Sequence, residues 1–325
     1  MFIAILAVAV VFDFLNGFHD SSNIVATVIS SRALHPRVAL VLAAIAEFLG
    51  PFLFGVAVAR TIGNELLTDQ ALNELVVLAA LIAAVLWNLI TWYLGMPSSS
   101  SHALLGGLLG AALLYTQSLS VIRIDGLIKI VLALLLSPVA GLFMGFIIMR
   151  VTLWLVRNAT PGVSKVFRRL QVLTLVGLAL SHGTNDAQKT MGVLTLALFL
   201  SGRIASFHVP IWVIALSASA IALGTAFGGW RLIRTLGGKI YRIRPIHGFT
   251  SQIAGASVIL TSAVFGGPVS TTQVLSSSIV GAGAAERINK VRWTILRDMA
   301  LAWILPIPST ALASILIYSL LQAIL

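Results

Sequence analysis

The sequence predicts an all-α, polytopic membrane protein built from two inverted repeats, with discontinuous helices and a hairpin or helix pair in each half. Three observations predict it. Of 325 residues, 58% are hydrophobic and only 10% charged, more apolar surface than a soluble domain of this length needs. The apolar residues gather in runs of about 20 without strict alternation, which suits spanning helices and not barrel strands. Two short polar strings, Gly17–Asn23 and Gly183–Lys189, interrupt those runs and align residue for residue at an offset of 166. An ionisable residue in lipid is costly enough to mark a functional site, and the same costly pattern twice marks two copies of one half-site.

The first run, 2–30, carries the first polar string and ends at the first basic residues, Arg32 and Arg37. The second, 38–59, returns to a loop with Glu65, Asp69 and Glu74 against one Arg60. Runs 75–95 and 98–117 form a pair, either two spans or a shallow hairpin. Run 126–149 leads to Arg150, Arg157, Lys165, Arg168 and Arg169. Run 170–200 holds the second string, and 209–230 ends at Arg231, Arg234, Lys239, Arg242 and Arg244. A second pair, 249–265 and 268–284, returns to Arg287, Lys290, Arg292 and Arg297 before 298–324 closes the chain. With both termini outside, all four basic clusters, 16 of the 21 Lys and Arg, fall on the cytoplasmic side of a multi-pass protein. The same frame sends 2–30 and 170–200 into the membrane from opposite faces. The chain then divides into a first repeat (1–117), a linking span with its basic loop (118–169), a second repeat (170–285) and a last span (286–325).

The correspondence between halves extends beyond the Asp strings. Gly50 and Gly55 match Gly224 and Gly229 at offset 174, and Gly95–His102 matches Gly266–Gln273 at offset 171. A pI near 11 would suggest nucleic acid for a soluble chain; here the cytoplasmic loops account for it and no nucleic-acid partner is expected. No basic stretch precedes Arg32, as a cleaved signal peptide requires. There is no cysteine, hence no thiol chemistry. No phosphate-binding loop, zincin helix or nucleophile elbow is present, so neither an enzyme nor ATP drive is expected.

Four helix-break positions frame the site: Gly17, Gly183, Pro97 and Pro268. Pro suits the first turn of a new helix, and Ser or Thr cap its free N–H groups. Two such starts within the membrane would face each other near the midplane and hold an anion without a cation. The anion set is Ser99, Ser100, Ser101, Ser270, Thr271 and Thr272, with Asn23 and Lys189 beside it; helix packing is the competing role for such small polar residues. Asp20 and Asp186, with Asn185 and Glu47, supply hard oxygens for a coupling cation or proton. Lys189 stands where the first copy has Asn23, to contact the anion or to compensate Asp186. His19, His102 and His182 lie beside the motifs without metal-site spacing, and a proton relay through them stays open. Asp13 precedes the first string and has no Asp partner in the second half.

These residues resemble the inorganic phosphate transporter (PiT) family. The resemblance rests on Asn16-Gly17-Phe18-His19-Asp20-Ser21-Ser22-Asn23, on Ser181-His182-Gly183-Thr184-Asn185-Asp186 and on the two Pro blocks, and the Asn-Gly-Phe-His-Asp form is that of the bacterial branch. It implies a symporter of inorganic phosphate in the cytoplasmic membrane, with Na⁺ or H⁺ as coupling ion and no other cofactor or metal. It also implies inverted repeats and a homodimer in the lipid bilayer. Sulfate permease is the alternative within the fold, and an anion channel the alternative outside it. Two departures stand out: the insert between halves shrinks to about Arg150–Arg169, and Lys189 replaces the expected Asn.

Overall fold

The computed structural model describes residues 1–68, 71–229, 233 and 243–324, the side chains at 290, 295–299 and 301 excepted. Asp69, Trp230, Arg231, Arg234, Lys239 and Arg242, and the side chains of Lys290 and Arg297, therefore lie outside the described residues. The described chain is almost entirely helical: α1 Phe2–Ser30, α2 Pro36–Phe54, α3 Ala57–Arg60, α4 Glu74–Leu94, α5 Ser100–Thr116, α6 Ile124–Leu155 and α7 Val163–Leu200. Then follow α8 Ile211–Phe227, α9 Pro245–Val264, α10 Thr271–Glu286, α11 Trp293–Ile304 and α12 Pro306–Ile324. Five of the described helical stretches are long and apolar enough to cross a membrane.

Three expectations are corrected. The polar strings do not break their helices: α1 runs unbroken through Gly17 and α7 through Gly183. Polar side chains do not interrupt a helix whose backbone ladder is intact; they need only a protein neighbour instead of lipid. The last run is split, because Pro306 cannot continue α11 and instead opens α12 at the position where its missing N–H costs nothing. The basic stretch before residue 170 is not all loop, since α7 begins at Val163 and takes in Lys165, Arg168 and Arg169.

Gly17 and Gly183 serve packing instead. A Cβ on Gly17 would lie 2.0 Å from the Ile221 carbonyl oxygen of α8, and one on Gly183 would lie 2.2 Å from the Glu47 carbonyl oxygen of α2. The reciprocal contacts use the other matched pair: Gly224 against Phe14 at 2.0 Å and Gly50 against Leu180 at 2.3 Å. Positions that match between halves thus make matching crossings, α1 on α8 and α7 on α2. Lipid tails are as apolar as Leu, so helix association here rests on such close backbone approach. Between α2 and α3 the ladder does break, and Gln188 repairs it by donating to the Gly55 carbonyl at 2.6 Å and accepting from Val58 N at 2.8 Å.

Charged groups separate by end. Met1 lies 4.0 Å from Glu74, and Lys129 pairs with Glu65 at 2.9 Å at one end of the bundle. At the other, the Ser31 hydroxyl donates to Gln171 at 2.6 Å, tying the end of α1 to the first turns of α7. Thr250 of α9 meets Met149 of α6, beside Arg150, and Arg244 pairs with Glu286 at 2.5 Å. Along α5, Gly106 and Gly110 abut Ile307 and Ala311 of α12, so the two helices run parallel and the chain ends at the same end as Met1.

Candidate functional site

Two helix hairpins build one wall. Gly95 (φ 68°) ends α4 and Gly266 (φ 73°) follows α9, both in the left-handed region that a Cβ disfavours. A short extended stretch follows each, and the next helix starts with a Ser cap. The Ser99 side chain accepts from His102 N at 3.3 Å, and that of Ser270 from Gln273 N at 3.4 Å. Pro97 and Pro268 sit two residues before these caps, not in the first turn as the sequence suggests. There they stiffen the extended stretch without adding a buried N–H to satisfy. The hairpins interlock: Ser101 donates to the Val269 carbonyl at 2.9 Å, and Thr272 lies 3.3 Å from the Ser98 carbonyl. Backbone N–H groups of Ser100, Ser101, Thr271 and Thr272 fall in the first two positions of their helices, where no intrahelical acceptor exists. Such a cluster of free donors is suited to an anion.

The facing wall comes from α1 and α7, which run antiparallel. On α1, Asp13, Asn16, Asp20 and Asn23 recur every three or four residues and so share a face; on α7 the corresponding set is His182, Asp186 and Lys189. All are buried. Asn23 donates to Asp20 Oδ1 at 2.8 Å, and the Thr272 hydroxyl reaches the same oxygen at 2.9 Å. Thr271 donates to Asp186 Oδ2 at 2.8 Å, and Lys189 pairs directly with Asp186 Oδ1. Asn185, its amide nitrogen turned toward Asp186 Oδ1 and the Val269 carbonyl, lies 3.3 Å from each.

His182 joins the set. Its Nε2 is 2.9 Å from Asp186 and 3.7 Å from Asp20, and its Nδ1 is 2.6 Å from Glu47. These are ion-pair distances, although none lies along a ring N–H direction. Glu47, without a counterpart in the second half, thus finds its partner on α7. His19 stands 3.4 Å from Asp20. Donor atoms of Asp20, His182 and Asp186 all lie within 4.8 Å of one another, a set able to hold a small cation.

The sequence-predicted residues therefore meet. The carboxylates and the hydroxyls form one cluster, with Thr271 and Thr272 donating to Asp186 and Asp20. Ser99 and Ser270 cap their own helices, Ser99 also bonding His102 Nδ1 at 2.7 Å, and Ser101 ties the hairpins together. Lys189 is committed to Asp186. Among the anion-set hydroxyls, that of Ser100 has no partner among the described residues. Sequence reasoning missed the reach of His182. Its spacing to Asp186, one helical turn, was the available signal.

A family model described as the phosphate transporter family matches residues 16–314. The chain belongs to that family. A Rhizobium meliloti relative named "Probable low-affinity inorganic phosphate transporter" is 42% identical over 320 residues, covering 98% of this chain and 96% of its own. A Bacillus subtilis relative of the same name is 42% identical over 326 residues, covering 99% and 97%. A solved structure titled "The sodium-dependent phosphate transporter" superposes with a TM-score of 0.90 at 25% identity, covering all of this chain and 99% of that one. Members of this family are transporters, not enzymes, and the helices make this one a multi-pass membrane protein.

Proposed function

We propose that this chain is a symporter that imports inorganic phosphate across the cytoplasmic membrane, driven by a cation gradient. One observation carries the reading: two capped helix starts abut beside Asp20 and Asp186, with every member of the cluster buried. The free N–H groups of Ser100, Ser101, Thr271 and Thr272, with the Ser100 hydroxyl, seat the anion. Three carboxyl groups (Asp20, Asp186 and Glu47) there face one ammonium and two imidazoles, those of His182 and His19. An anion entering adds negative charge to a desolvated, already acidic site, so it enters with a cation. Coupling then follows from charge balance. Relative movement of the α1/α7 wall against the hairpins opens the site to either face in turn.

Phosphate is favoured over sulfate because a protonated phosphate oxygen donates a hydrogen bond to a carboxylate, which sulfate cannot do at neutral pH. The shared end of the basic clusters supports the cytoplasmic assignment of Arg150, Arg157 and Arg169; Cys replacing Arg157 should resist external labelling in intact cells, and Cys at Phe207 should accept it. The decisive test is uptake into proteoliposomes under imposed Na⁺ or H⁺ gradients, with sulfate as competitor. Saturable accumulation above equilibrium, resistant to sulfate, is expected. Gradient-independent, non-saturating flux would mean a channel.

A further inference from the structure

Two turns along α1 from Asp20, about 10 Å toward Met1, lies a second buried polar group outside the cluster just described. Asp13 is fully buried, and one oxygen, Oδ1, accepts from the Thr190 hydroxyl of α7 at 2.5 Å. The other, Oδ2, has no partner. Asn16, one turn on and on the same face, is also fully buried with both its side-chain oxygen and nitrogen unpartnered. Ser217 of α8 lies beside the Asp13 carboxyl without a directed hydrogen bond. Among the described residues no cation touches Asp13.

Such a group does not stay ionised at low cost. A buried carboxylate needs a counter-charge or a proton, and bare buried acceptors need donors. A proton on Oδ2 meets both needs, because it removes the charge and supplies a donor to Ser217 Oγ. The set is poor for a metal ion, with one carboxylate and only three further side-chain oxygens. The ionisable groups that face Asp13 are Asp186 and Lys189 of α7, already paired with each other. None lies on α8, and α4 has only Glu74 and Tyr93, near its ends. On α1 itself the nearest are His19 and Asp20.

We propose that Asp13 is the group that carries the coupling proton, loaded from one face of the membrane and released to the other, in a site distinct from the phosphate seat. This rests on the symporter reading and names its ion. Among the described residues, Asp20, Asp186 and Glu47 each have His182 or Lys189 within ion-pair distance, and Asp13 has neither. Its aligned position in the second half is Ala179, so the device exists once per chain.

The test compares wild type, Asp13→Asn and Asp13→Glu in proteoliposomes. Asp13→Asn mimics the protonated state permanently. It should fold with unreduced thermal stability and still exchange labelled phosphate for unlabelled phosphate across the membrane. It should also lose accumulation driven by a pH gradient, which Asp13→Glu retains. A second variant, Thr190→Val, removes a donor to the charged form and should move the pH profile of uptake upward. Wild-type accumulation with a pH gradient that Asp13→Asn leaves intact overturns the proposal alone. So does uptake in wild type that follows a Na⁺ gradient and ignores the pH gradient. Failure of wild type under every gradient overturns the symporter reading instead.

Discussion

Asp20 on α1 and Asp186 on α7 occupy matched positions in the two polar strings, yet their surroundings differ in kind. Asp20 is met by the amide of Asn23 and the hydroxyl of Thr272, neutral donors, with His19 at 3.4 Å and His182 at 3.7 Å. Asp186 is met by the ammonium of Lys189 and by His182 at 2.9 Å. The residue three positions on sets the difference: Asn23 in the first copy, Lys189 in the second. Among the described residues, the second half sets an ammonium beside its carboxylate and the first half does not. The two matched strings thus differ in how their carboxylates are met, Asp186 by an ammonium and Asp20 by neutral donors and imidazoles.

The largest expected break is Asp186→Asn. It strands Lys189 as a buried, unpaired charge, and losing one partner of a buried pair costs about 3–5 kcal/mol. Thermal stability and expression should fall sharply, and the double variant Asp186→Asn with Lys189→Gln should recover most of both. Recovery failing would mean that Lys189 is held by something other than Asp186.

Thr271→Ala and Thr272→Ala come next. Each removes a hydroxyl donor to a carboxylate, worth about 1.5–3 kcal/mol. Stability should fall more for Thr272, whose acceptor Asp20 has no ammonium to fall back on. Equal losses would erase the contrast between the halves. Gly17→Ala and Gly183→Ala probe the matched crossings, where a Cβ meets backbone oxygen at 2.0 and 2.2 Å. The helices must part, at about 1–3 kcal/mol, and the two losses in thermal stability should be similar. Ser100→Ala has the smallest effect. Its hydroxyl bonds nothing among the described residues, so stability should hold while phosphate affinity weakens by about 0.5–1.5 kcal/mol.

Much of this was legible in the chain itself. Runs of apolar residues located most helices to within a few residues, although α7 begins well before its run and the last run holds two helices, and the Gly-Pro-hydroxyl blocks located both capped starts. Local patterns fix those features. What was not legible depended on partners far along the chain. The polar strings read as helix breaks because nothing local reveals that α1 and α7 bury them against each other and against the hairpins. Glu47 and His182, 135 positions apart, had no shared pattern to announce their pairing. Lys189 could not be assigned until its distance to Asp186 was known. Pro306, by contrast, was a local signal, and the long apolar run around it hid the break.

The division between the halves is tested most directly by Asp20→Asn in sealed proteoliposomes, with phosphate accumulation measured against an imposed cation gradient. With Asp20 neutral, charge balance at the phosphate seat no longer requires a cation, so proton binding at Asp13 is no longer tied to phosphate entry. The variant should be as stable as wild type and still bind phosphate, while the filled-to-empty concentration ratio falls to equilibrium. Accumulation matching that of wild type would contradict it.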